Sequence, residues 1–435
     1  MKFGGTSVGK PERMVEIKNL VTKDEEPKIV VLSALSGTTN SLSQISKSLA
    51  KGDRSTAKQH IDAMERHYQN FILQLITQED AYLKARTIIE EHFEFLNIIL
   101  KISYSEALNK DILAQGELLS TKIFSVYLSE QHVEHEWLPA LDFMTIDTNG
   151  EPQIGGLKVK LSQLLQKNKD KKIFVTQGFI CRNSKGEVDN LKRGGSDYSA
   201  SLISAAVNAS VCEIWTDIDG MHNNDPRVVK NTYPIRHLSF EEAAELAYFG
   251  AKILHPASIW PAQYFNFPVR LRNTLDPEAE GTLIEPQSDS VGVKAIAAKD
   301  YITAIKIKST RMLLAYGFLR KVFEVFEKYQ TSIDMVTTSE VAVSLTIDND
   351  TYLPEIVKEL ESYGTITVDK EQTIITLVGN EIAKTENVLA KIFTSLGDIP
   401  VRMVSFGGSQ HNISILVSHQ DKDNTLLQLN KGLFE

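Results

Sequence analysis

The chain has 435 residues, of which 42% are hydrophobic and 24% are charged, and this composition excludes wholesale disorder and a fibrous chain. Its 47 basic and 56 acidic residues give a net charge of −9 at pH 7, so neither nucleic acid nor a membrane is expected as a partner. The two cysteines, Cys181 and Cys212, exclude a disulfide framework and favour a reducing compartment. Because no apolar run approaches ~20 residues and the N-terminus lacks an apolar signal region, we expect a cytoplasmic protein.

The chain begins with an alternation of strand and helix. Met1 to Phe3 predict the end of a strand, which Gly4-Gly5-Thr6-Ser7 terminates. The apolar spacing of Pro11 to Val21 predicts a helix. Lys28 to Leu35 form a β-branched apolar run, which is typical of a strand buried on both faces.

A helical segment then interrupts this alternation. From about residue 41 to 136, glycine and proline become rare and apolar residues follow helical spacing, which predicts an insertion whose last helix starts near Gly116-Glu117. Afterwards Lys172 to Ile180 and Val211 to Thr216 predict buried strands, with a helix at Ser196 to Ala206 between them. We therefore predict an α/β fold with a mostly parallel sheet and helices on both faces.

The C-terminal third predicts a separate region. Asp276 to Gly292 are rich in Pro, Gly, Ser and Asp, which indicates a domain boundary. After it, Gly317 to Ile347 and Asn387 to Val417 share a helix-then-strand pattern and weak sequence similarity. Two copies are too few for a solenoid, so we expect two small α+β units that regulate or dimerise.

Several glycine-rich turns follow predicted strands, and in an open parallel sheet ligands gather at the carboxyl ends of strands. Glycine there lets backbone N–H groups approach an anion. Each turn alone is more often a plain loop, and the chain has neither a P-loop nor a dinucleotide-binding motif. The turns are Gly4-Gly5-Thr6-Ser7, Ser36-Gly37-Thr38-Thr39, Gly178-Phe179 and Arg193-Gly194-Gly195-Ser196-Asp197.

Charged residues near these turns suit a phosphoryl group and an amino acid. Lys2 and Lys252 each adjoin glycine-rich backbone and could neutralise a phosphoryl group, although most lysines are simply exposed. Arg193 could hold a carboxylate with two hydrogen bonds. Asp197 and Glu117, at predicted helix starts, could accept an ammonium or could merely cap their helices. Together the last three would recognise a zwitterion, which means an amino acid.

A second candidate site follows the strand that ends at Thr216. An acidic residue such as Asp217 could assist a magnesium–nucleotide complex, and Arg227 could contact phosphate. His222 and His255 are single histidines without metal-ligand spacing. We therefore expect no metal site made of protein side chains alone.

Seven motifs follow one another along the chain: Lys2-Phe3-Gly4-Gly5-Thr6-Ser7-Val8, Arg193-Gly194-Gly195-Ser196-Asp197, Thr216-Asp217, Asp225-Pro226-Arg227, Gly250-Ala251-Lys252-Ile253-Leu254-His255-Pro256, Gly317-Phe318-Leu319 and Val336-Thr337-Thr338-Ser339-Glu340. In this order, they resemble aspartate kinase over nearly the whole chain. The resemblance implies an amino-acid-kinase catalytic domain at 1–290 and a regulatory region at 291–435. The latter would hold two ACT domains, ACT1 at about 301–370 and ACT2 at about 291–300 plus 371–435. The sequence stops after the second unit, so the monofunctional form is expected.

The same resemblance implies a reaction and its residues. The γ-phosphoryl group of ATP, bound with Mg²⁺, would pass to the β-carboxylate of L-aspartate and give 4-phospho-L-aspartate, the first step toward lysine, threonine and methionine. The catalytic residues would be Lys2, Gly4, Gly5 and Asp197. The aspartate pocket would comprise Ser33, Thr39, Glu117, Phe179, Arg193, Ser196 and Asp197. The nucleotide would meet Lys2, Thr216, Asp217, His222, Arg227 and Lys252, with His222 standing where the family commonly has tyrosine.

The C-terminal residues look most like those of the lysine-sensitive type, which implies L-lysine as a feedback inhibitor. Asp334 and Glu340 would offer negative charge to this cationic effector. ACT pairs usually associate, so a homodimer or a dimer of dimers is expected. The implied effector residues are Met312, Phe318, Leu319, Ser332, Asp334, Thr338, Ser339 and Glu340.

Three functions remain open at this point. The first is an active aspartate kinase with lysine feedback. The second is an amino-acid sensor whose kinase domain is degenerate. His222 and the short first strand favour this alternative. The third keeps the kinase fold but phosphorylates another acceptor, such as glutamate or carbamate.

Overall fold

The computed structural model describes residues 1–191, 194–250, 254–287, 291–309 and 316–435. They fall into two compact units. The first comprises Met1–Met221, Arg236–Phe240 and Ile253–Gln287, and the second comprises His222–Ile235, Glu241–Lys252 and Ser288–Glu435.

Strands and helices alternate in the first unit, apart from a run of four helices. Its strands are β1 (Lys2–Phe3), β2 (Lys28–Leu32), β3 (His135–Leu138), β4 (Ile173–Gln177), β5 (Ile180–Arg182), β6 (Val188–Asn190), β7 (Cys212–Thr216), β8 (His237–Ser239), β9 (Val269–Asn273) and β10 (Thr282–Glu285). Its helices are α1 (Gly5–Val8), α2 (Pro11–Val21), α3 (Thr38–Ala50), α4 (Arg54–Leu75), α5 (Glu79–Ile99), α6 (Glu106–Glu130), α7 (Ala140–Phe143), α8 (Ile154–Lys167), α9 (Gly195–Val207), α10 (Phe240–Tyr248), which continues into the second unit, and α11 (Pro256–Phe265).

Within the described part of this unit, eight strands form one sheet in the order β3-β4-β2-β1-β7-β9-β10-β8. All neighbouring strands are parallel except β9 and β10, so the predicted mostly parallel sheet is confirmed. The two-residue strand β1 lies between β2 and β7, with Lys2 opposite Val31 and Ile214. Phe3 stacks on Trp215 with ring centroids 5.8 Å apart, which anchors β1 in the core.

The predicted helical insertion is confirmed as α3 to α6, which pack on one another around a shared apolar core. The predicted start of its last helix is wrong. Helix α6 begins at Glu106, where the Ser105 hydroxyl accepts a hydrogen bond from the Leu108 N–H at 3.2 Å and caps the helix. Gly116 is a packing residue and no helix breaker, because a Cβ there would lie 2.8 Å from the Ala34 Cβ. Glu117 consequently lies in the middle of α6.

The segment predicted as a domain boundary, Asp276 to Gly292, contains strand β10 of the large sheet. It also contains the point, between Gln287 and Ser288, where the chain passes from the first unit to the second. Gly281 lies in the connection from β9 to β10. Gly281 has φ +74, and a Cβ there would lie 1.9 Å from the Leu271 carbonyl oxygen. Only glycine fits such a close backbone approach.

The second unit contains a six-stranded sheet, among its described residues, in the order β12-β13-β11-β14-β16-β15. Its neighbouring strands are antiparallel. The strands are β11 (Gly292–Lys308), β12 (Val336–Thr338), β13 (Ala342–Ile347), β14 (Thr365–Asn380), β15 (Met403–Ser405) and β16 (Asn412–Ser418). The helices are α12 (Phe318–Lys328), α13 (Leu353–Leu360), α14 (Val388–Leu396) and α15 (Lys422–Phe434), with 3-10 turns at Ile382–Lys384 and His419–Asp421.

The predicted internal repeat is visible in this unit. Helix α12 precedes β12 and β13, as α14 precedes β15 and β16. Each helix follows a residue in the left-handed region, Gly317 with φ +77 and Asn387 with φ +58. The central strands β11 and β14 shift register between Lys299 and Ile302, so the sheet has an apolar cluster on either side of this irregularity.

No helix in the described ranges is both long and apolar enough to cross a membrane.

We expect Gly281→Ala to destabilise the first unit far more than Gly150→Ala. Both glycines have positive φ, but no atom lies within 4 Å of a Cβ at Gly150. The left-handed conformation alone costs an alanine about 1 kcal/mol, whereas the clash at Gly281 adds backbone strain. Urea unfolding of both variants should show a midpoint loss at least twice as large for Gly281→Ala, and equal losses would contradict the close approach.

Candidate active site

The carboxyl ends of four neighbouring strands, β4, β2, β1 and β7, carry most of the predicted site residues of the first unit. Gly178-Phe179 follow β4, Ser33 follows β2, and Gly4-Gly5 follow β1, while Thr216 ends β7. Because these strands are parallel, their ends share one edge of the sheet. The predicted gathering of turns at one edge therefore agrees with the topology.

A buried ion pair lies at this edge. The Lys2 Nζ is 2.6 Å from Asp197 Oδ1, and the two side chains are 10% and 13% exposed. Lys2 comes from β1 and Asp197 from the first turn of α9. A charge pair so far from water is costly unless both charges are used, which favours a functional role over a structural one.

The glycine pair after β1 keeps the backbone close to the Lys2 ammonium. A Cβ at Gly4 would lie 3.2 Å from Lys2 Nζ, and one at Gly5 would lie 3.4 Å from the Ala34 carbonyl oxygen. A buried hydrogen bond holds the turn in place, since the Ser7 hydroxyl lies 2.8 Å from the Thr274 hydroxyl. The space beside the ammonium therefore stays open to a ligand.

Glu117 is a buried carboxyl with one unused oxygen. Its Oε1 accepts a hydrogen bond from the Ala34 N–H at 3.3 Å, while no described residue pairs with Oε2. Burial raises the pKa of Glu117 to about 8. The group is therefore mostly protonated at neutral pH without a ligand, and a nearby cation would stabilise its ionised form.

The turn after β4 meets the start of α9. Phe179 has φ +65, and its N–H donates to the Ser199 hydroxyl at 2.9 Å. A Cβ at Gly178 would lie 2.5 Å from the Ser196 Cβ, and one at Gly195 would lie 2.7 Å from the Phe179 ring. The structure thus brings Phe179, Ser196 and Asp197 together. Arg193 lies outside the described residues.

Ser33 and Thr39 occupy different environments. Ser33 is half-buried after β2, and its carbonyl oxygen accepts from the Ser120 hydroxyl at 2.9 Å. Thr39 is exposed in the first turn of α3. Beside it the buried Thr38 hydroxyl lies 3.0 Å from the Tyr68 hydroxyl. Sequence reasoning missed the supporting residues Ser120 and Tyr68, whose signal is a polar group on the apolar face of a helix.

The predicted nucleotide residues are divided between the two units. Thr216 and Asp217 belong to the first unit, and the Thr216 hydroxyl donates to Asp217 Oδ1 at 3.1 Å. His222 and Arg227 belong to the second unit. There His222 Nδ1 is 2.9 Å from the Thr232 hydroxyl. Lys252 lies outside the described residues.

Arg227 is held by a neighbouring carboxylate. Its Nε and Nη2 donate to Asp225 at 2.9 and 2.7 Å. The hydrogen bonds from this guanidinium hold the pKa of Asp225 below its usual range. The Arg227 side chain is 79% exposed, so solvent reaches the guanidinium.

The predicted effector residues vary in exposure. Phe318 is buried at the start of α12, and Leu319 beside it is 38% exposed. Asp334 has a fully buried side chain that pairs with Lys299 at 2.7 Å and accepts from the Tyr248 hydroxyl at 3.0 Å. The exposed members are Ser332, Thr338, Ser339 and Glu340. Met312 lies outside the described residues.

In the described part of the chain, no three or more His, Cys, Asp and Glu side chains are grouped so that they could hold a metal ion.

Two family models match the chain. The amino acid kinase family matches residues 1–273, which is more than half of the chain, and the ACT domain matches residues 375–433.

Curated proteins match along the whole chain. The lysine-sensitive aspartokinase 3 of Escherichia coli is 34% identical, over 100% of this chain and 98% of that protein. The chloroplastic aspartokinase 3 of Arabidopsis thaliana is 35% identical, over 100% of this chain and 81% of that protein.

Solved structures agree. The crystal structure of E. coli aspartokinase III in complex with aspartate and ADP, in the R-state, superposes with a TM-score of 0.86 at 34% identity and covers 100% of this chain and 99% of that one. The complex of the same enzyme with lysine and aspartate, in the T-state, gives a TM-score of 0.82. An α/β kinase domain with a helical insertion, followed by an antiparallel regulatory sheet, is thus shared over the full length. The chain therefore belongs to the aspartokinase family.

Proposed function

We propose that this chain transfers the γ-phosphoryl group of MgATP to the β-carboxylate of L-aspartate, giving 4-phospho-L-aspartate and ADP. The observation that carries the proposal is the buried Lys2–Asp197 ion pair beside the Gly4-Gly5 turn. Support comes from the relatives, because the E. coli enzyme binds aspartate and ADP.

The reaction needs no protein nucleophile. A β-carboxylate oxygen of aspartate forms the new bond to phosphorus, and the bond from the γ-phosphorus to the β,γ-bridging oxygen breaks, so that the electron pair leaves with ADP. A carboxylate is already ionised near neutral pH, so no general base is required. Lys2 neutralises charge on the transferring group, while magnesium enters with the nucleotide as part of the substrate.

Aspartate would be recognised as a zwitterion. Glu117 offers the unused Oε2 to the substrate ammonium, and Arg193 is the proposed partner of the α-carboxylate. Asp197 orients Lys2 through their ion pair. The remaining proposed contacts are Ser33, Thr39, Phe179 and Ser196.

For the nucleotide we propose contacts with Thr216, Asp217, His222, Arg227 and Lys252. Arg227 contacts Asp225 through Nε and Nη2, and its exposed guanidinium has further N–H groups that it can offer to a phosphate.

We further propose L-lysine as effector at Asp334 and Glu340, association through the ACT domains into a dimer or dimer of dimers, and a cytoplasmic location. The proposed domain limits are 1–290 for the catalytic part and 291–435 for the regulatory part. The support for lysine is the E. coli relative, which is lysine-sensitive.

The direct test is ADP release from ATP and magnesium, with and without L-aspartate and L-lysine. Aspartate-dependent release that lysine suppresses supports both parts of the proposal. ADP release that lysine does not suppress would support the kinase activity and exclude lysine as the effector. ADP release with glutamate or carbamate, and not with aspartate, would show that the acceptor is a different one. Lysine binding without any release would favour the sensor.

We expect Lys2→Ala to lower kcat by roughly a hundredfold or more with a small change in ATP affinity, because the charge acts mainly in the transition state. Lys10→Ala, which changes an exposed lysine nearby, is the matched control. Steady-state kinetics measures kcat, and the fluorescence of a bound nucleotide measures the affinity for ATP separately. A near-normal kcat for Lys2→Ala would refute the role of this lysine.

Aspartate binding should release a proton near pH 7. The pKa of Glu117 is raised in the free protein, so the group starts protonated, and the substrate ammonium favours the ionised form. Between about pH 6 and 8 the apparent aspartate affinity should therefore rise with pH, by up to about tenfold per pH unit. Calorimetry in buffers of different ionisation enthalpy measures the released proton.

Glu117→Gln should abolish this release, whereas Glu106→Gln, at an exposed position of the same helix, should keep it. Unchanged proton release in Glu117→Gln would assign the proton to another group.

Glu340→Ala and Asp334→Ala should each raise the lysine concentration for half-inhibition by roughly tenfold or more, because each removes a charge opposite a cation. The uninhibited rate should stay close to that of the parent enzyme. Glu355→Ala, an exposed glutamate of α13, is the control. Unchanged lysine sensitivity in both variants would exclude this site.

A further inference from the structure

Helix α10 is bonded to the regulatory sheet by three side chains spaced three residues apart. Glu242 pairs with Lys294 of β11 at 3.0 Å, and Glu245 accepts from the Asn412 amide of β16 at 2.5 Å. Tyr248 donates to Asp334, which precedes β12. Residues at this spacing lie near one another on a helix surface. One face of α10 is therefore fixed to three places in the second unit.

The Tyr248 contact is a cluster of two carboxylates and one ammonium. Lys299 Nζ lies 2.7 Å from Asp334 Oδ1 and 2.9 Å from Asp348 Oδ2. The same ammonium lies 4.4 Å from the centroid of the Tyr248 ring, which is within the range of a cation–π interaction. Tyr248 thus touches both ends of the ion pair, through its hydroxyl and through its ring.

The charges of this cluster do not balance. Asp334 and Asp348 carry two negative charges against the single charge of Lys299. Asp334 Oδ1 is used twice, while no described residue pairs with the buried Oδ2. A buried carboxylate oxygen without a donor is costly, and an ammonium is the group that satisfies both the oxygen and the charge.

Lys299 contacts both carboxylates at once, so it can give up Asp334 and still keep an ion pair with Asp348. An ammonium at Asp334 Oδ2 repels the Lys299 ammonium. Asp348, whose side chain is 41% exposed, can take the displaced charge. The β11 backbone at this point is already irregular, with a register shift between Lys299 and Ile302 and φ +61 at Tyr301. The side chain can therefore move without disturbing a regular ladder.

A displaced Lys299 changes what holds the end of α10. Its cation–π contact with Tyr248 is lost, and Asp334 Oδ1 keeps Tyr248 as its remaining donor. Two residues beyond Tyr248, Gly250 packs so tightly on β11 that a Cβ would lie 2.1 Å from the Ala298 carbonyl oxygen. The chain then runs on toward Lys252, which we propose for the nucleotide.

We propose that Lys299 and Tyr248 are the positioning residues that couple an amino-acid ammonium at Asp334 to helix α10. When the ligand ammonium occupies Oδ2, Lys299 gives up Asp334, keeps Asp348 and moves away from the Tyr248 ring. The inference rests on the proposed effector site at Asp334, and it adds the route by which occupancy of that site reaches the segment before Lys252.

The test separates lysine binding from inhibition in the full-length enzyme. Tyr248→Phe removes only the hydroxyl, Lys299→Met removes the charge, and Lys299→Arg restores it. Tyr264→Phe and Lys306→Met, at exposed positions, are matched controls. For each variant, calorimetry gives the Kd for L-lysine, and ADP release gives the activity that remains at saturating lysine relative to its own uninhibited rate. Hydrogen exchange of residues 241–248 with and without lysine reports α10 directly and needs no catalysis.

We expect Lys299→Met to bind lysine more tightly, because it removes an ammonium that competes for Asp334. The same variant should be inhibited less, because it also removes the coupling from Asp334 through Lys299 and Tyr248 to α10, which we call the relay. Tyr248→Phe should keep its Kd within about threefold while the residual activity at saturation rises severalfold. Lysine should alter exchange in 241–248 of the parent, the two controls and Lys299→Arg, and not in Lys299→Met.

Full inhibition of both Tyr248→Phe and Lys299→Met would overturn the relay. A lysine-dependent change in hydrogen exchange as large in Lys299→Met as in the parent enzyme would also overturn it. Asp334→Asn tests whether the effector binds at Asp334 at all. Undiminished lysine binding in that variant would place the effector elsewhere and would exclude the relay as well. Aspartate-dependent ADP release by the parent enzyme reports separately on the kinase.

Discussion

The short central strand β1 is the constraint on which the catalytic edge depends. It is only two residues long, and it carries Lys2 between β2 and β7 into contact with Asp197 of α9. The stacking of Phe3 on Trp215 fixes this strand in the core, so the ammonium cannot withdraw into solvent. Removing one member of such a buried pair leaves an uncompensated charge, which typically costs about 3–5 kcal/mol. The glycines around it keep the remaining space open for a ligand.

The two proposed amino-acid sites share a physical device. Each site has a buried carboxyl group, Glu117 in the first unit and Asp334 in the second. In each, one oxygen has a protein partner and the other has none among the described residues. Burial raises the pKa of both groups. A ligand ammonium would remove this penalty at either proposed site. The sites differ in one respect, since Asp334 already holds an internal ammonium and Glu117 holds none.

Much of the fold followed from local pattern. Helix α2 has the predicted bounds, because an amphipathic stripe and a proline at its first position define it locally. The buried strands β2 and β4 were predicted three residues too long at their carboxyl ends, since the predicted runs continue into the turns that follow them. Strands β4 and β7 each begin one residue later than predicted. The outright error concerns a glycine. Gly116 was predicted near the start of a helix, whereas it lies inside α6, where close packing against Ala34 requires glycine.

The sequence by itself determined the alternation of strands and helices, the helical insertion, the C-terminal repeat and the types of charged residue at the turns, because these depend on periodicity and on side-chain chemistry along the chain. It also carried the ordered motifs of the aspartokinase family. Only the tertiary structure decided which charges meet. Lys2 and Asp197 are 195 residues apart in the chain, and Tyr248, Lys299 and Asp334 come from three separate segments. Sheet order and helix docking set these distances, and burial sets the energies, and neither can be read from neighbours along the chain.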